Sequence, residues 1–486
     1  MSADLSIAEL RGWDDRIREK ASAFGLDCYA QEYEICDHYQ MLSYMAYSGM
    51  PSHYPHWSYG KSYEKLKTTY DYGISGLPYE MVINSSPCMA YLMRDNSLAL
   101  TVLTMAHVYG HNDFFKNNFN FGHTRAEATL ETFKLHAERI RSYVESPSIG
   151  RAEVESVLDA AHALSLQLNR NRAVRKRSPR EQIEAAVERS RPAKDLFQAI
   201  HKRPEEPSVD LNKIPLEPQA DLLLFMRDNN RQLSDWQRDL LTIVHEEAEY
   251  FLPQIETKIM NEGWASYWHR TIMNSLGLPH NLHLEFLVHH NQVVRPIVGE
   301  INPYHLGLKI WDDIARRFAD GDENTRTTGK EPDEQARMKL FEVRETDRDA
   351  SFIRRFLSDE LIEELDLFRY QARGKDEVVT HVANKDGYDA IRHTLIDNVG
   401  MGAVPVIKIE DADFGRDRTL YLKHYHDGRD LELDFAEKTL EHLFLLWGRR
   451  PVLLETAMNN RGMLLSFDEE GFDSKQQLRV GKELFR

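Results

Sequence analysis

The spacing of apolar residues predicts helices over most of the chain. Ser234 followed three residues later by Gln237 is a capping-box signature, so a helix is expected to start at Asp235. At about 100° per residue, Trp236, Leu240, Ile243, Glu247, Tyr250, Phe251 and Gln254 fall on one apolar face, with His245 and Glu249 opposite. In the next segment Ile255, Ile259, Glu262, Ser266, His269 and Met273 share a face, with the small Ala265 beside them. Nearer the N-terminus, "LALTVLTMAHVYGHNDFFKNN" is apolar nearly all round, as a buried helix is, and Leu100, Leu103, His107, His111 and Phe114 share one side. Residues 1–168 read as a mostly helical part holding an irregular insert rich in Tyr, Pro and Gly, "YSGMPSHYPHWSYGKSYEKLKTTYDYGISGLPYE".

A basic run, "LNRNRAVRKRSPREQ", opens residues 169–218, which read as a charged linker or exposed helix, with an acidic partner surface as the alternative. Residues 219–345 form a second helical part, ending in the loop-like "RFADGDENTRTTGKEPDEQARMK". Residues 346–486 begin with a helix around "DELIEELDLFRYQAR". After Gly400 the texture changes to short strands, "VPVIKIEDAD", "TLYLKHYHDGRDLELDF" and "RPVLLETA", around a helix "AEKTLEHLFLLW", with "HDG" as a hairpin turn. The expected fold is therefore mainly α: one large helical domain from the N-terminal and central parts, then a small C-terminal α+β domain.

Composition narrows the functional classes. At 486 residues the chain has room for two to four domains and a deeply buried site. Its formal charge of -17 opposes phosphate binding, so nucleic acid is not the expected partner. The three cysteines, Cys28, Cys36 and Cys88, cannot build a disulfide framework and include no Cys-x-x-Cys pair, which fits a reducing cytoplasm. The N-terminal text lacks the basic start and apolar core of a signal peptide. No run approaches the ~20 apolar residues that span a bilayer, so membrane insertion is not expected either.

Ionisable residues on apolar faces carry the chemistry. Two histidines at i and i+4, His107 and His111, present nitrogens to one point, as in helical transition-metal chelates. A lone buried carboxylate such as Glu247 needs a partner, a proton or a cation. The sequence His245-Glu246-Glu247-Ala248-Glu249 imitates a zinc-peptidase motif, but its outer pair points away from the buried face. His53, His56, Glu285, His289 and His290 are weaker candidates. No Walker loop, GxSxG elbow or di-iron ExxH pair is present. The expected centre holds a divalent metal, zinc, iron or manganese, on His107, His111, Glu262 and His269, with Glu247 and Glu262 as catalytic carboxylates. The alternative is a hydrogen-bonded core in a non-catalytic scaffold.

The segments "DWQRDLLTIVHEEAEYFLPQIETKIMNEGWASYWH", "HVYGHNDFFKNN" and "INPYHLGLKIWDDI" resemble the SpoVR (stage V sporulation protein R) family over essentially the whole chain. That family's pattern has Arg at the position of His245, followed by two glutamates, which makes the peptidase-like His245 incidental. The resemblance implies a cytoplasmic bacterial protein linked to sporulation, cortex formation or stationary-phase stress. It also implies a PrkA-type serine kinase and a YeaH/YhbH-type protein as partners, but no established catalytic activity.

Overall fold

The computed structural model describes residues 6–72, 80–170, 175–190, 210, 213–297, 300–319, 334–367, 370–373, 376–379, 385–459 and 461–476. From the N-terminus come α1 (Ile7–Ala23), β1 (Gln31–Cys36), α2 (His38–Ala46), α3 (Trp57–Asp71), β2 (Met81–Ile83) and β3 (Cys88–Met93). Next are α4 (Leu98–Asn117), α5 (Thr129–Glu145), α6 (Arg151–Leu164), α7 (Pro179–Ser190), α8 (Leu222–Asn229) and α9 (Asp235–Glu256). They are followed by α10 (Lys258–Ser275), α11 (His280–Val293), α12 (Pro303–Arg317), α13 (Glu334–Thr346), α14 (Asp349–Phe356) and α15 (Asp359–Glu364). The rest is β4 (Tyr370–Arg373), β5 (Asp376–Val379), α16 (Lys385–Asn398), β6 (Ile407–Phe414), β7 (Thr419–His424), α17 (Leu433–Leu446), β8 (Val452–Met458), β9 (Arg461–Asp468) and β10 (Gly471–Gln476). The fold is mainly α, with a small α+β element at the C-terminal end.

Contacts divide the chain into two compact units, Met1–Arg141 with Tyr250–Ala403, and Ser142–Glu249 with Val404–Arg486. β6 to β10 group with α6 to α8 and most of α9, and α10 to α16 group with the N-terminal residues. In the first unit α4 and α10 are buried nearly all round, and α10 lies against both α4 and α12. Missing side chains allow this approach. A Cβ on Gly110 would sit 2.6 Å from the Ala265 Cα, and one on Gly263 would sit 2.3 Å from the Gly307 carbonyl carbon. Large side chains fill the space around the crossings: Trp264, Trp268, Trp311 and Phe352 are fully buried. Burying each contributes roughly 1.5–3 kcal/mol or more.

Helix ends in this unit are tied by named groups. Ser97 caps α4 by accepting from the Leu100 N–H, and Asn302 caps α12, with Pro303 in its first turn. Thr257 makes no side-chain cap for α10. The Asp349 carboxylate does so from elsewhere in the chain, accepting from the Ile259 and Met260 N–H groups at 2.9 Å each.

Several local expectations are corrected. The aromatic insert contains a 15-residue helix, α3, because its Tyr and Lys residues propagate a helix once His56 has capped it. β1, β3 and β2 form a three-stranded sheet, with β1 parallel and β2 antiparallel to β3, in a part expected to be helical; short strands carry too little pattern to compete with helical periodicity. The helix at Asp359 ends at Glu364, and Tyr370–Arg373 is a strand. In the loop-like text after residue 317, helix α13 begins at Glu334, while 320–333 lie outside the described residues. Of the basic run, 171–174 lie outside them too.

In the second unit five strands are ordered β10-β9-β8-β7-β6. β7 and β8 are parallel, so the chain crosses over between them through α17, as parallel pairing requires. The "HDG" text lies in that crossover and makes no hairpin; the β6–β7 turn comes earlier, at Gly415. α17 packs against the sheet and against α6, burying Leu440, Leu443 and Leu446. The N-terminal part of α9 is buried on more sides than its stripe predicts, through Leu241, Val244 and His245. His245 pairs there with Asp221 at 2.9 Å.

Candidate metal centre

Four side chains from three places in the sequence converge in the first unit. His107 and His111 project from adjacent turns of α4, Glu262 comes from the first half of α10, and Glu80 immediately precedes β2. One ligand atom from each lies within 4.8 Å of every other. His107 Nε2 is 3.0 Å from Glu80 Oε2 and 3.8 Å from Glu262 Oε2. His111 Nε2 is 3.6 Å from Glu80 Oε1 and 3.4 Å from Glu262 Oε2. Glu80 Oε2 and Glu262 Oε2 are buried without an aligned hydrogen-bond donor. Gly110 lies between His107 and His111, and Ala265 three residues after Glu262, so the close approach of α4 and α10 at this contact also brings these donors together.

The outer nitrogens of both histidines are engaged. His111 Nδ1 donates to Asn261 Oδ1 at 2.8 Å, and His107 Nδ1 is 2.7 Å from His269 Nδ1. Each ring therefore turns Nε2 toward the carboxylates, the usual arrangement for metal-binding imidazoles. Tyr304, from the first turn of α12, donates its O–H to Glu80 Oε1 at 3.2 Å. Side-chain exposure is 0% for His107, 4% for His111, 7% for Glu80 and 18% for Glu262. Glu262 is the most exposed of the four.

Electrostatics follow from this packing. Burial opposes charge on His111, but the Glu262 and Glu80 carboxylates outweigh it and hold its pKa up at about 10. Burial likewise opposes ionising Glu262 and Glu80, yet the two imidazoles keep both below the ordinary carboxylate range. Burial and the two carboxylates push the Tyr304 phenol well up. Burial, reinforced by the neighbouring His107, drives His269 well below the usual histidine value. His290 falls to about 4 through burial and Arg270.

Of the residues expected at the centre, His107, His111 and Glu262 meet. His269 stands behind His107, bonded to its Nδ1 and, through Nε2, to His290 Nδ1 at 2.8 Å. It lies beside His107 and is not one of the four gathered donors. Glu247 is buried, as its face predicted, but it belongs to the second unit and is not among the gathered donors. The peptidase-like pair does not form a site: His245 Nδ1 and Glu249 are 3.9 Å apart, and Glu249 is 45% exposed. Sequence reasoning missed Glu80, Asn261 and Tyr304. Glu80 has no periodic context; Tyr304 had a cue in the "NPYH" helix start.

Family models match the chain over two spans: "SpoVR like protein" at residues 4–404 and "SpoVR-like C-terminal domain" at residues 405–459. The chain belongs to the SpoVR family. One SpoVR-like relative, the "Uncharacterized protein YcgB" of Escherichia coli (strain K12), is 34% identical over 472 residues, covering 92% of this chain and 90% of that protein. No solved structure is significantly similar to this SpoVR family member. The SpoVR model spans all four gathered donors, and the C-terminal model covers β6 to β8. Among the described residues, no helix is long and apolar enough to cross a membrane.

Proposed function

We propose that this SpoVR family member is a metal-dependent enzyme, a hydrolase, built on a mononuclear His2Glu2 centre. The observation that carries the reading is the convergence of Glu80, His107, His111 and Glu262 with two buried carboxylate oxygens lacking aligned donors. Two imidazoles and two carboxylates suit zinc, iron or manganese better than magnesium or calcium, which favour all-oxygen sites. When bound, such an ion polarises a carbonyl or phosphoryl group and makes water more acidic. The chain's own residues do the rest. Asn261 fixes the His111 tautomer, His269 holds the His107 ring in place, Glu262 holds or receives a proton, and the protonated Tyr304 supplies a hydrogen-bond donor beside Glu80.

Glu247 has no part in this chemistry. We place the protein in the cytoplasm, a reading supported by the free thiols Cys28, Cys36 and Cys88, and in sporulation or stationary-phase physiology through its family name. Work alongside a PrkA-type kinase and a YeaH/YhbH-type protein belongs to the same proposal. The test is elemental analysis of tag-free protein beside His107→Ala and Glu262→Gln. Near-stoichiometric metal, lost in folded variants, is the expected result. Wild-type protein that stays metal-free after reconstitution would instead favour a non-catalytic regulator acting with those partners.

A further inference from the structure

We propose that His107, His269 and His290 form a relay of neutral imidazoles whose N–H direction reverses when a cation occupies the centre, making His269 and His290 positioning residues for metal capture. This inference rests on the metal-binding reading above. The geometry is a chain of two short contacts across three helices: His107 Nδ1 to His269 Nδ1 at 2.7 Å, and His269 Nε2 to His290 Nδ1 at 2.8 Å. His107 and His269 are fully buried, and His290 at the far end is 7% exposed.

A neutral imidazole carries one N–H and one lone pair, so the two contacts can be filled in only two consistent ways. In the first, His290 Nδ1–H donates to His269 Nε2 and His269 Nδ1–H donates to His107 Nδ1. The His107 proton then sits on Nε2, 3.0 Å from Glu80 Oε2. In the second, His107 Nδ1–H donates to His269 Nδ1, His269 Nε2–H donates to His290 Nδ1, and the His290 proton sits on Nε2. Only the second leaves His107 Nε2 with the lone pair that a cation requires.

Switching between them conserves protons. The proton in each contact shifts from one ring to its neighbour, the His107 Nε2 proton leaves to water, and His290 Nε2 takes one from water. His111 has no such freedom, because its Nδ1 faces the Asn261 Oδ1 acceptor at 2.8 Å. A change at the buried centre is therefore read out at His290, on α11, through His107 alone.

The experiment uses full-length protein labelled with 15N-histidine, observed by imidazole nitrogen NMR with and without Zn2+, the His290 signals being assigned with a His290→Asn variant. The expected result is a His290 proton on Nδ1 in metal-free protein and on Nε2 once zinc is bound. Zinc binding with an unchanged His290 tautomer overturns the relay and leaves the metal centre standing. Failure to bind zinc removes the centre, and the relay with it. Alongside, His290→Phe should weaken zinc binding by about tenfold to a hundredfold with an unaltered circular dichroism spectrum; undiminished affinity in that variant also counts against the relay.

Discussion

Glu80 Oε2 and Glu262 Oε2 lie buried with no aligned donor, an arrangement that costs several kcal/mol per ionised carboxylate unless a proton or cation compensates. In metal-free protein His111 supplies that charge. Its folded pKa is raised to about 10, so its contribution to stability is complete below the ordinary value of about 6.5 and is lost as pH rises through about 10. Glu262 is shifted the other way; its contribution exists above the ordinary glutamate value and is lost on acidification. Melting curves should show metal-free wild-type protein more stable than His111→Gln near neutrality, with the gap closing toward pH 10 and above; a gap independent of pH would contradict the assignment. A metal needs the neutral ring, so zinc affinity should rise with pH over the same range. At this scale the histidine pair and Glu262 were legible in the sequence, because i, i+4 spacing on an apolar helix is a local pattern. Glu80 was not, since only tertiary packing brings it to α4. Glu247 is buried as expected but in the second unit; a buried carboxylate looks the same in sequence whichever unit buries it.

At the level of elements, the centre depends on how closely α4, α10 and α12 approach. Gly110→Ala would drive a methyl group to 2.6 Å from the Ala265 backbone, and overpacking of this kind costs about 1–3 kcal/mol or more. Chemical denaturation should show that loss, and zinc uptake should fall with it because His107 and His111 flank the contact. Asp349→Ala removes the carboxylate that caps α10 and should cost about 1–2 kcal/mol, by analogy with lost N-caps; unchanged stability would mean that water replaces the cap. The long helices α4, α9 and α10 were readable from their periodicity, and the break at Thr257 separates α9 from α10 as the two successive faces implied. The short strands β1, β3, β9 and β10 were not, whereas β6, β7 and β8 were. β1 and β3 pair across more than fifty intervening residues, and β9 and β10 follow β8 through turns whose strands have mixed burial, so neither has a one-dimensional signature.

For the whole molecule, the helical N-terminal and central parts and the C-terminal α+β character followed from the texture of the chain, whereas the grouping into two units did not. The C-terminal strands join Ser142–Glu249 through contacts such as the bridge from Gln219 to Ile409, which no local pattern announces. The division yields a prediction: Glu247→Gln, in the second unit, should leave zinc stoichiometry unchanged while Glu80→Gln abolishes it. Saturating metal should also raise the melting temperature, since ligand at a hundred times Kd adds about 2.7 kcal/mol to the folded state. The most direct test of the central claim is anomalous diffraction at the metal edge from crystals of zinc-loaded protein. One strong peak bounded by Glu80, His107, His111 and Glu262 is expected. Full zinc loading with no peak among those four side chains would contradict it.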